Sequence, residues 1–308
     1  MPSSLVFWSS FSGSVFLLIG LVLIRKELTP PFGLNRVIVL GYAFVAGPLA
    51  VFGTEHLLAS RTIMTLVPSR IPAPLFWTYF VGIGLFAAAL SFIARKHLRW
   101  SALLLALMFF IFVATMDLPA VIAQSRDRFS WTLMLRETAF AGGALALAGA
   151  ARRDNVQISN ALIAIGRICL AVPLIFYGIE HFAYPKFAPG VPLEKLSPNW
   201  LPIPAFWAYA VGVVLLMAGI GMLFNWRTRL AAASVGIAMT FLTLFLYFPL
   251  LVKAYGTPQA LEELNYVGDT LYFGGTALFV GLAATPSRQR VREVTDQASR
   301  PVLVSTPD

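Results

Sequence analysis

The chain has 308 residues, of which 58% are hydrophobic and 12% charged, with a formal net charge of +9. A soluble domain carries about twice that charged fraction, and apolar runs long enough to cross a bilayer core recur along the whole length. This excludes an ordinary soluble enzyme and points to a polytopic membrane protein. Residues 101–116 are apolar on every side, whereas a membrane β-barrel alternates apolar and polar residues over segments of about ten. The fold class expected is therefore all-α, a polytopic transmembrane helical bundle.

Nine spans are predicted, at 5–24, 37–58, 75–94, 100–118, 132–150, 160–182, 205–224, 230–250 and 264–284. The first has no basic residue before it and no small-x-small cleavage site after it, so it reads as a retained anchor rather than a signal peptide. The second ends in Gly53-x-Glu55-His56, and Arg61 follows. The third is entered through a proline-rich loop, Pro72-x-Pro-x-Phe-Trp-x-Tyr-x-Val-Gly82. Asp117 stands at the end of the fourth, and Arg136, Glu137 and Gly142-Gly143 lie in the fifth. The sixth holds Arg167 and the single cysteine, Cys169, and ends in Gly178-x-Glu180-His181. Asp269 and Gly274-Gly275 lie in the ninth. One cysteine allows no internal disulfide, and without a CxxC pair no thiol redox chemistry by this chain alone is expected.

Basic residues set the orientation. Fourteen fall on one side, in the segments after spans 1, 3, 5 and 7 and in the tail; seven fall on the other. The richer side is expected to be cytoplasmic, with the N-terminus outside and the C-terminus inside a cell inner membrane. This accounts for the charge of +9, and no nucleic-acid partner is expected. The polar, Arg-rich tail at 286–308 reads as a disordered basic segment; membrane lipid is the partner such a surface suits.

The chain also repeats itself. Residues 72–82 match residues 202–212 at seven of eleven positions, at an offset of 130. Gly53, Glu55, His56 and Arg61 pair with Gly178, Glu180, His181 and Lys186 at an offset of 125. Glu137-Thr138 and Gly142-Gly143 pair with Asp269-Thr270 and Gly274-Gly275 at an offset of 132. The division expected is an N-terminal helix (1–36), two tandem four-helix units (37–154 and 155–285) and the tail (286–308). Both units enter the membrane in the same sense, which implies a pseudo-axis along the membrane normal.

A small-residue helix ending in G-x-E-H and a basic residue, followed by P-x-P-x-F-W-x-Y-x-V-G, resembles the DoxX-like membrane proteins over both units. That resemblance implies four-helix units, and a relation to subunits of membrane oxidoreductases that pass electrons to quinone, as in thiosulfate:quinone oxidoreductase. A quinone and other oxidoreductase subunits are the cofactor and partners it implies. Many members have no assigned activity, so whether this chain is an enzyme stays open.

With this orientation Glu55, His56, Asp117, Arg136, Glu137, Glu180, His181 and Asp269 all fall within about two turns of the outer boundary. Arg167 lies near the opposite end. Glu55 is expected to pair with Arg136, and Glu180 with Lys186 or Lys195. Two readings stand side by side. In one, the layer is a ligand pocket, with histidine hydrogen-bonded to a carbonyl oxygen and a carboxylate exchanging the proton. In the other, the carboxylates lock helix ends together and the histidines are capped. Trp77, Tyr79, Trp207 and Tyr209 read as an interfacial belt, or as the lining of a flat-ligand site. Asp117 aligns with Tyr247, so the units are not chemically equivalent. No metal motif such as H-x-x-x-H is present, and no metal site is expected. A proton-coupled or small-molecule transporter and a non-catalytic scaffold or assembly factor are the alternative functions.

Overall fold

The computed structural model describes residues 2–29, 33–152, 154–190 and 194–284. The predicted tail at 286–308 and Arg153 lie outside them. The described chain is helical throughout: α1 (Pro2–Ile24), α2 (Leu34–Val39), α3 (Gly41–Leu58), α4 (Ser60–Ile63), α5 (Pro74–Ala94), α6 (Leu98–Phe112), α7 (Leu118–Ala123), α8 (Arg128–Ala151), α9 (Val156–Ala183), α10 (Pro204–Leu223), α11 (Thr228–Leu242), α12 (Phe248–Ala254) and α13 (Ala260–Ala283). Among the described residues there is no strand, and one isolated antiparallel bridge joins Phe187 to Leu196.

All nine predicted spans are helices with ends displaced by a few residues. Seven are long and apolar enough to cross a membrane. The other two, α8 and α13, are 24 residues each. They are long enough at about 1.5 Å per residue, but they carry Arg136, Glu137 and Asp269. Both lie inside the bundle, and α13 is buried along most of its length. The chain is an all-α, multi-pass membrane protein.

Successive spans run antiparallel. One end of the bundle is marked by Arg95 on Glu27 (2.7 Å) and Arg99 on Asp154 (3.0 Å). The other is marked by Arg128 on Glu180 (2.9 Å) and by Lys195 on Glu263. These are called the basic end and the acidic end. Around the bundle α3 packs on α5, α6 on α8, α8 on α9, α9 on α10, and α11 on α13; α13 closes the ring on α3 and also packs on α8. Helix α1 lies outside, against α3.

The proline-rich motif is a helix-start device. Ala73 adopts φ 54°, Pro74 occupies the first turn of α5, and the Trp77 indole N–H donates to the Pro72 carbonyl (3.1 Å). The same three features recur 130 residues on: Ile203 has φ 47°, Pro204 opens α10, and Trp207 donates to the Pro202 carbonyl (3.0 Å). Proline suits the first turn because its missing N–H has no helical partner there. The left-handed residue before it costs about 1–2 kcal/mol, and the indole hydrogen bond helps offset that. A second recurrence sits in the fourth and eighth spans. Each contains a π-helical turn, Val113–Asp117 and Thr243–Tyr247, two residues before Pro119 and Pro249. Proline cannot donate to the carbonyl four residues back, which is Thr115 in the first case. The Arg70 guanidinium donates to that oxygen instead (2.9 Å).

The two central helices touch through glycine. A Cβ on Gly143 would stand 2.5 Å from Thr276 Cγ2 and 2.9 Å from its carbonyl oxygen, and one on Gly275 would stand 2.7 Å from Val45 Cγ2. Gly143→Ala is therefore expected to destabilise the detergent-solubilised protein by about 1–3 kcal/mol. Gly84→Ala, where a Cβ meets nothing within 4 Å, is expected to be neutral or to add up to about 1 kcal/mol. Thermal unfolding of the two variants checks the contrast.

Candidate functional site

Helix α8 begins at Asp127, whose carboxylate accepts hydrogen bonds from the Ser130 backbone N–H (2.9 Å) and hydroxyl (2.5 Å). Those two bonds hold the Asp127 carboxyl below the usual range. Two turns further in, the Arg136 guanidinium reaches across to α13. Its Nη1 donates to Asp269 Oδ2 at 2.6 Å and its Nη2 to Glu137 Oε1 at 3.1 Å. Asp117, at the end of the first π-turn, lies within electrostatic reach of Arg136 and Glu137. Glu55, 8% exposed on α3, lies within reach of Asp269. With the Asn265 amide turned so that its nitrogen faces Glu55, it donates to both carboxylate oxygens, at 3.0 and 3.1 Å.

Five of the eight predicted residues thus converge: Glu55, Asp117, Arg136, Glu137 and Asp269. The other three do not join them. His56 donates from Nδ1 to the Phe52 carbonyl at 2.8 Å. His181 donates from Nδ1 to the Tyr177 carbonyl at 2.6 Å and accepts from the Gly190 N–H at Nε2, 2.9 Å. Both its ring nitrogens are committed to backbone, and it pins the 184–190 loop to the end of α9. Glu180 is paired with Arg128, whose guanidinium also lies against the rings of Tyr184 (4.6 Å) and Phe187 (4.4 Å).

Two expected pairings are corrected. Arg136 meets Asp269 rather than Glu55, because α13 packs on both α3 and α8 and presents Asp269 to Arg136. Glu180 meets Arg128 rather than Lys186 or Lys195, because the start of α8 packs beside the end of α9. Lys195 instead holds Glu263.

Beneath the charged layer lies an aromatic floor. Tyr272, 1% exposed, stacks on Phe140 with centroids 4.2 Å apart, and Phe109, Phe273 and Tyr177 continue the contact. Tyr177 donates its hydroxyl to the Thr132 carbonyl (2.8 Å). The Tyr272 hydroxyl has no hydrogen-bond partner among the described residues. The same is true of Arg136 Nε, Asp117 Oδ2 and Glu137 Oε2, all buried. Native interiors leave few such atoms. Sequence reasoning missed Tyr272, Asn265 and Arg70. Asn265 stands one helical turn before Asp269, which places both on one face; Arg70 was legible only through the carbonyl that Pro119 leaves open.

Residues 162–248 match the DoxX family model. The chain carries a DoxX domain. The match runs from within α9 to the start of α12, and it takes in Glu180, His181 and the second proline motif. No curated protein and no solved structure matches the chain.

Breaking a buried ion pair from one side costs about 3–5 kcal/mol, because the other charge is left alone. Arg136→Met is expected to lose stability on that scale. Arg136→Met combined with Asp269→Leu is expected to regain part of it, since the facing carboxylate is gone. Thermal midpoints of the two variants, purified in the same detergent, check the order.

Proposed function

We propose that the chain is a quinone-linked subunit of a membrane oxidoreductase, with the quinone headgroup held at the Asp117–Arg136–Glu137–Tyr272 cluster. The observation that carries this is the set of buried polar atoms without partners, which contains both kinds. Arg136 Nε and the Tyr272 hydroxyl are donors; Asp117 Oδ2 and Glu137 Oε2 are acceptors. Carbonyl oxygens on a flat ring suit the donors, and the hydroxyls of its reduced form suit the acceptors. When bound, a quinone supplies two-electron, two-proton redox chemistry. The residues would orient the ring by these four atoms, and Glu137 Oε2 and Asp117 Oδ2 would hold or release the accompanying protons. The Phe140–Tyr272 stack offers an apolar surface alongside. Asp117 is half-buried, and the residues beyond it, Leu118 and Ile122, are 43% and 72% exposed, so a lipid-soluble ligand has an approach from the bilayer.

The proposal places the site on the first of two tandem four-helix units, 37–154 and 155–285. The paired motifs, the paired left-handed residues before Pro74 and Pro204 and the paired π-turns support the division. At the position of Asp117 the second unit has Tyr247, fully buried, with its hydroxyl donating to the Pro189 carbonyl (2.8 Å) and its ring stacked on Tyr266. His181 and Glu180 are likewise spent on packing. The basic end is proposed to face the cytoplasm across an inner membrane, with the N-terminus outside, from the excess of Arg and Lys there.

A transporter is the weaker reading. Arg167 donates to the carbonyls of Met222 and Leu223 near the basic end, and the acidic groups within the spans gather near the other, leaving no relay between them. A scaffold is favoured by the histidines, whose hydrogen bonds are to backbone. The two are separated by purifying the full chain in mild detergent and extracting lipids. Quinone is expected to co-purify, and Tyr272→Phe is expected to reduce it about tenfold, the worth of a buried hydrogen bond, at near-normal thermal stability; Glu137→Gln is expected to reduce it as well, with some stability lost because the Arg136 pair loses a charge. If no quinone co-purifies and added short-chain quinone leaves the thermal midpoint unmoved, the scaffold reading stands.

A further inference from the structure

The first π-turn ends in a carboxylate where the second ends in a tyrosine, and a side chain from a distant loop is tied to it. Arg70 Nη2 donates to the Thr115 carbonyl at 2.9 Å, two residues before Asp117 at the end of the turn. We propose that Arg70 is a positioning residue for Asp117: by taking this carbonyl it holds the Val113–Asp117 turn in its π form, and that form directs Asp117 toward Arg136 and Glu137. The positioning stands on the geometry of the loop and the turn; its use for a ligand rests on the reading that the cluster holds a quinone headgroup.

The second half of the chain supplies an internal comparison. The loop entering α5 turns at 68–71, closed by the Ile71 N–H on the Pro68 carbonyl (2.8 Å). The loop entering α10 turns in the same way at 198–201, closed by the Leu201 N–H on the Pro198 carbonyl (2.9 Å). Each turn presents its third residue from the same corner, Arg70 in one and Trp200 in the other. The two π-turns stand at that same offset of 130. Where the π-turn ends in Asp117 the corner carries a guanidinium; where it ends in Tyr247 the corner carries an indole. Tyr247 is anchored by its own side chain, with the ring on Tyr266 and the hydroxyl on the Pro189 carbonyl. Asp117 is anchored less well, since its Oδ2 is buried without a partner among the described residues. The turn that its own side chain does not fasten is the one fastened from the loop.

Helix geometry says what the fastening does. A π-turn carries one residue more than an α-turn, with poorer hydrogen bonding. Successive helical residues are about 100° apart. If the turn reverted to the α form, the residues on one side of it would rotate by about that angle, and Asp117 would leave the Arg136 side. The Thr115 carbonyl is where the two forms part. Pro119 has no N–H to offer it as an α-helix would, and the guanidinium brings a charge-assisted donor instead. Arg70 is exposed and belongs to no spanning helix, so this bond can be removed without opening the core.

Two measurements on the full chain in mild detergent test this. Hydrogen–deuterium exchange reads the turn. Arg70→Gln is expected to speed exchange of the amides at 113–123 about tenfold, the worth of one charge-assisted hydrogen bond, with 243–254 unchanged. Arg70→Lys keeps a donor and is expected to restore most of the protection. Arg61→Gln removes another exposed cation from the connection between α3 and α5 and is expected to change nothing. Co-purified quinone reads the site. Arg70→Gln and Asp117→Asn are each expected to reduce it about fivefold, and the double variant no further than Arg70→Gln alone, because both changes remove the same group from the cluster. Unchanged exchange at 113–123 in Arg70→Gln, or an equal effect of Arg61→Gln, would overturn the proposal. So would additive losses of quinone, which would mean that Arg70 acts other than through Asp117. If the unaltered chain carries no quinone, the reading of the cluster falls and the positioning role is decided by exchange together with thermal midpoints: a double variant equal to Arg70→Gln upholds it, and additive shifts overturn it.

Discussion

The bundle turns on one ion pair, Arg136 with Asp269, between residues 133 apart in the chain. Its two helices run in the same direction, and the pair fixes their register. Two helical turns deeper, Gly143 meets Thr276, again at a separation of 133. Residues seven apart lie on nearly the same helix face, so the charged contact and the close-packed contact are two rungs of one ladder. The salt bridge alone would be a poor source of stability, since desolvation consumes much of the attraction. Its value here is positional. A slip of one residue would turn Arg136 away from Asp269 and drive the Thr276 methyl and carbonyl away from the one position with room for them.

That register places everything else. With α13 held between α3 and α8, Glu55 faces Asn265 and Asp269, and Tyr272 comes to lie flat on Phe140. The polar layer stays near one end of the bundle, where a charge costs less than at the bilayer centre. Helices α8 and α13 carry their charges where neighbouring helices cover them. Enclosure permits charge without requiring it: the span at Leu34–Leu58 is 83% buried and still apolar.

The spans were readable from apolar run lengths, and the polar layer followed from alternating span direction plus the positions of Glu55, Asp117, Arg136 and Asp269. Which helix touches which was not readable. Arg136 has several acids at the right depth, and depth alone cannot choose among them; packing order does, and packing order depends on where small residues permit close approach. The histidines show the same limit. Their spacing from Glu55 and Glu180 repeats, yet His181 is spent on the Tyr177 carbonyl one turn back at Nδ1 and, at Nε2, on the Gly190 N–H that a loop of nine residues brings beside it. The π-turns were partly legible. Pro119 and Pro249 each announce an open carbonyl four residues back, but that Arg70 would take the one at Thr115 depends on where the 59–73 loop lies.

The two π-turns differ in what fills them. A π-turn inserts a residue into the helix and leaves its backbone bonds poorly matched, so something must occupy the side chain it turns inward. In the second half a tyrosine does so. Its ring and hydroxyl are both satisfied by the 184–190 loop and Tyr266, and His181 holds that loop in place. In the first half the residue is an aspartate, too short to fill the same space, and the loop reaches the turn from outside, through Arg70 to a carbonyl. One turn is closed by packing; the other keeps a buried carboxylate oxygen within electrostatic reach of an arginine and a glutamate, and the glutamate in turn lies within reach of Tyr272. The DoxX match, residues 162–248, takes in the tyrosine turn, Glu180 and His181, whose side chains serve structure. Around the first π-turn, packing leaves Asp117 Oδ2, Arg136 Nε and Glu137 Oε2 without partners among the described residues.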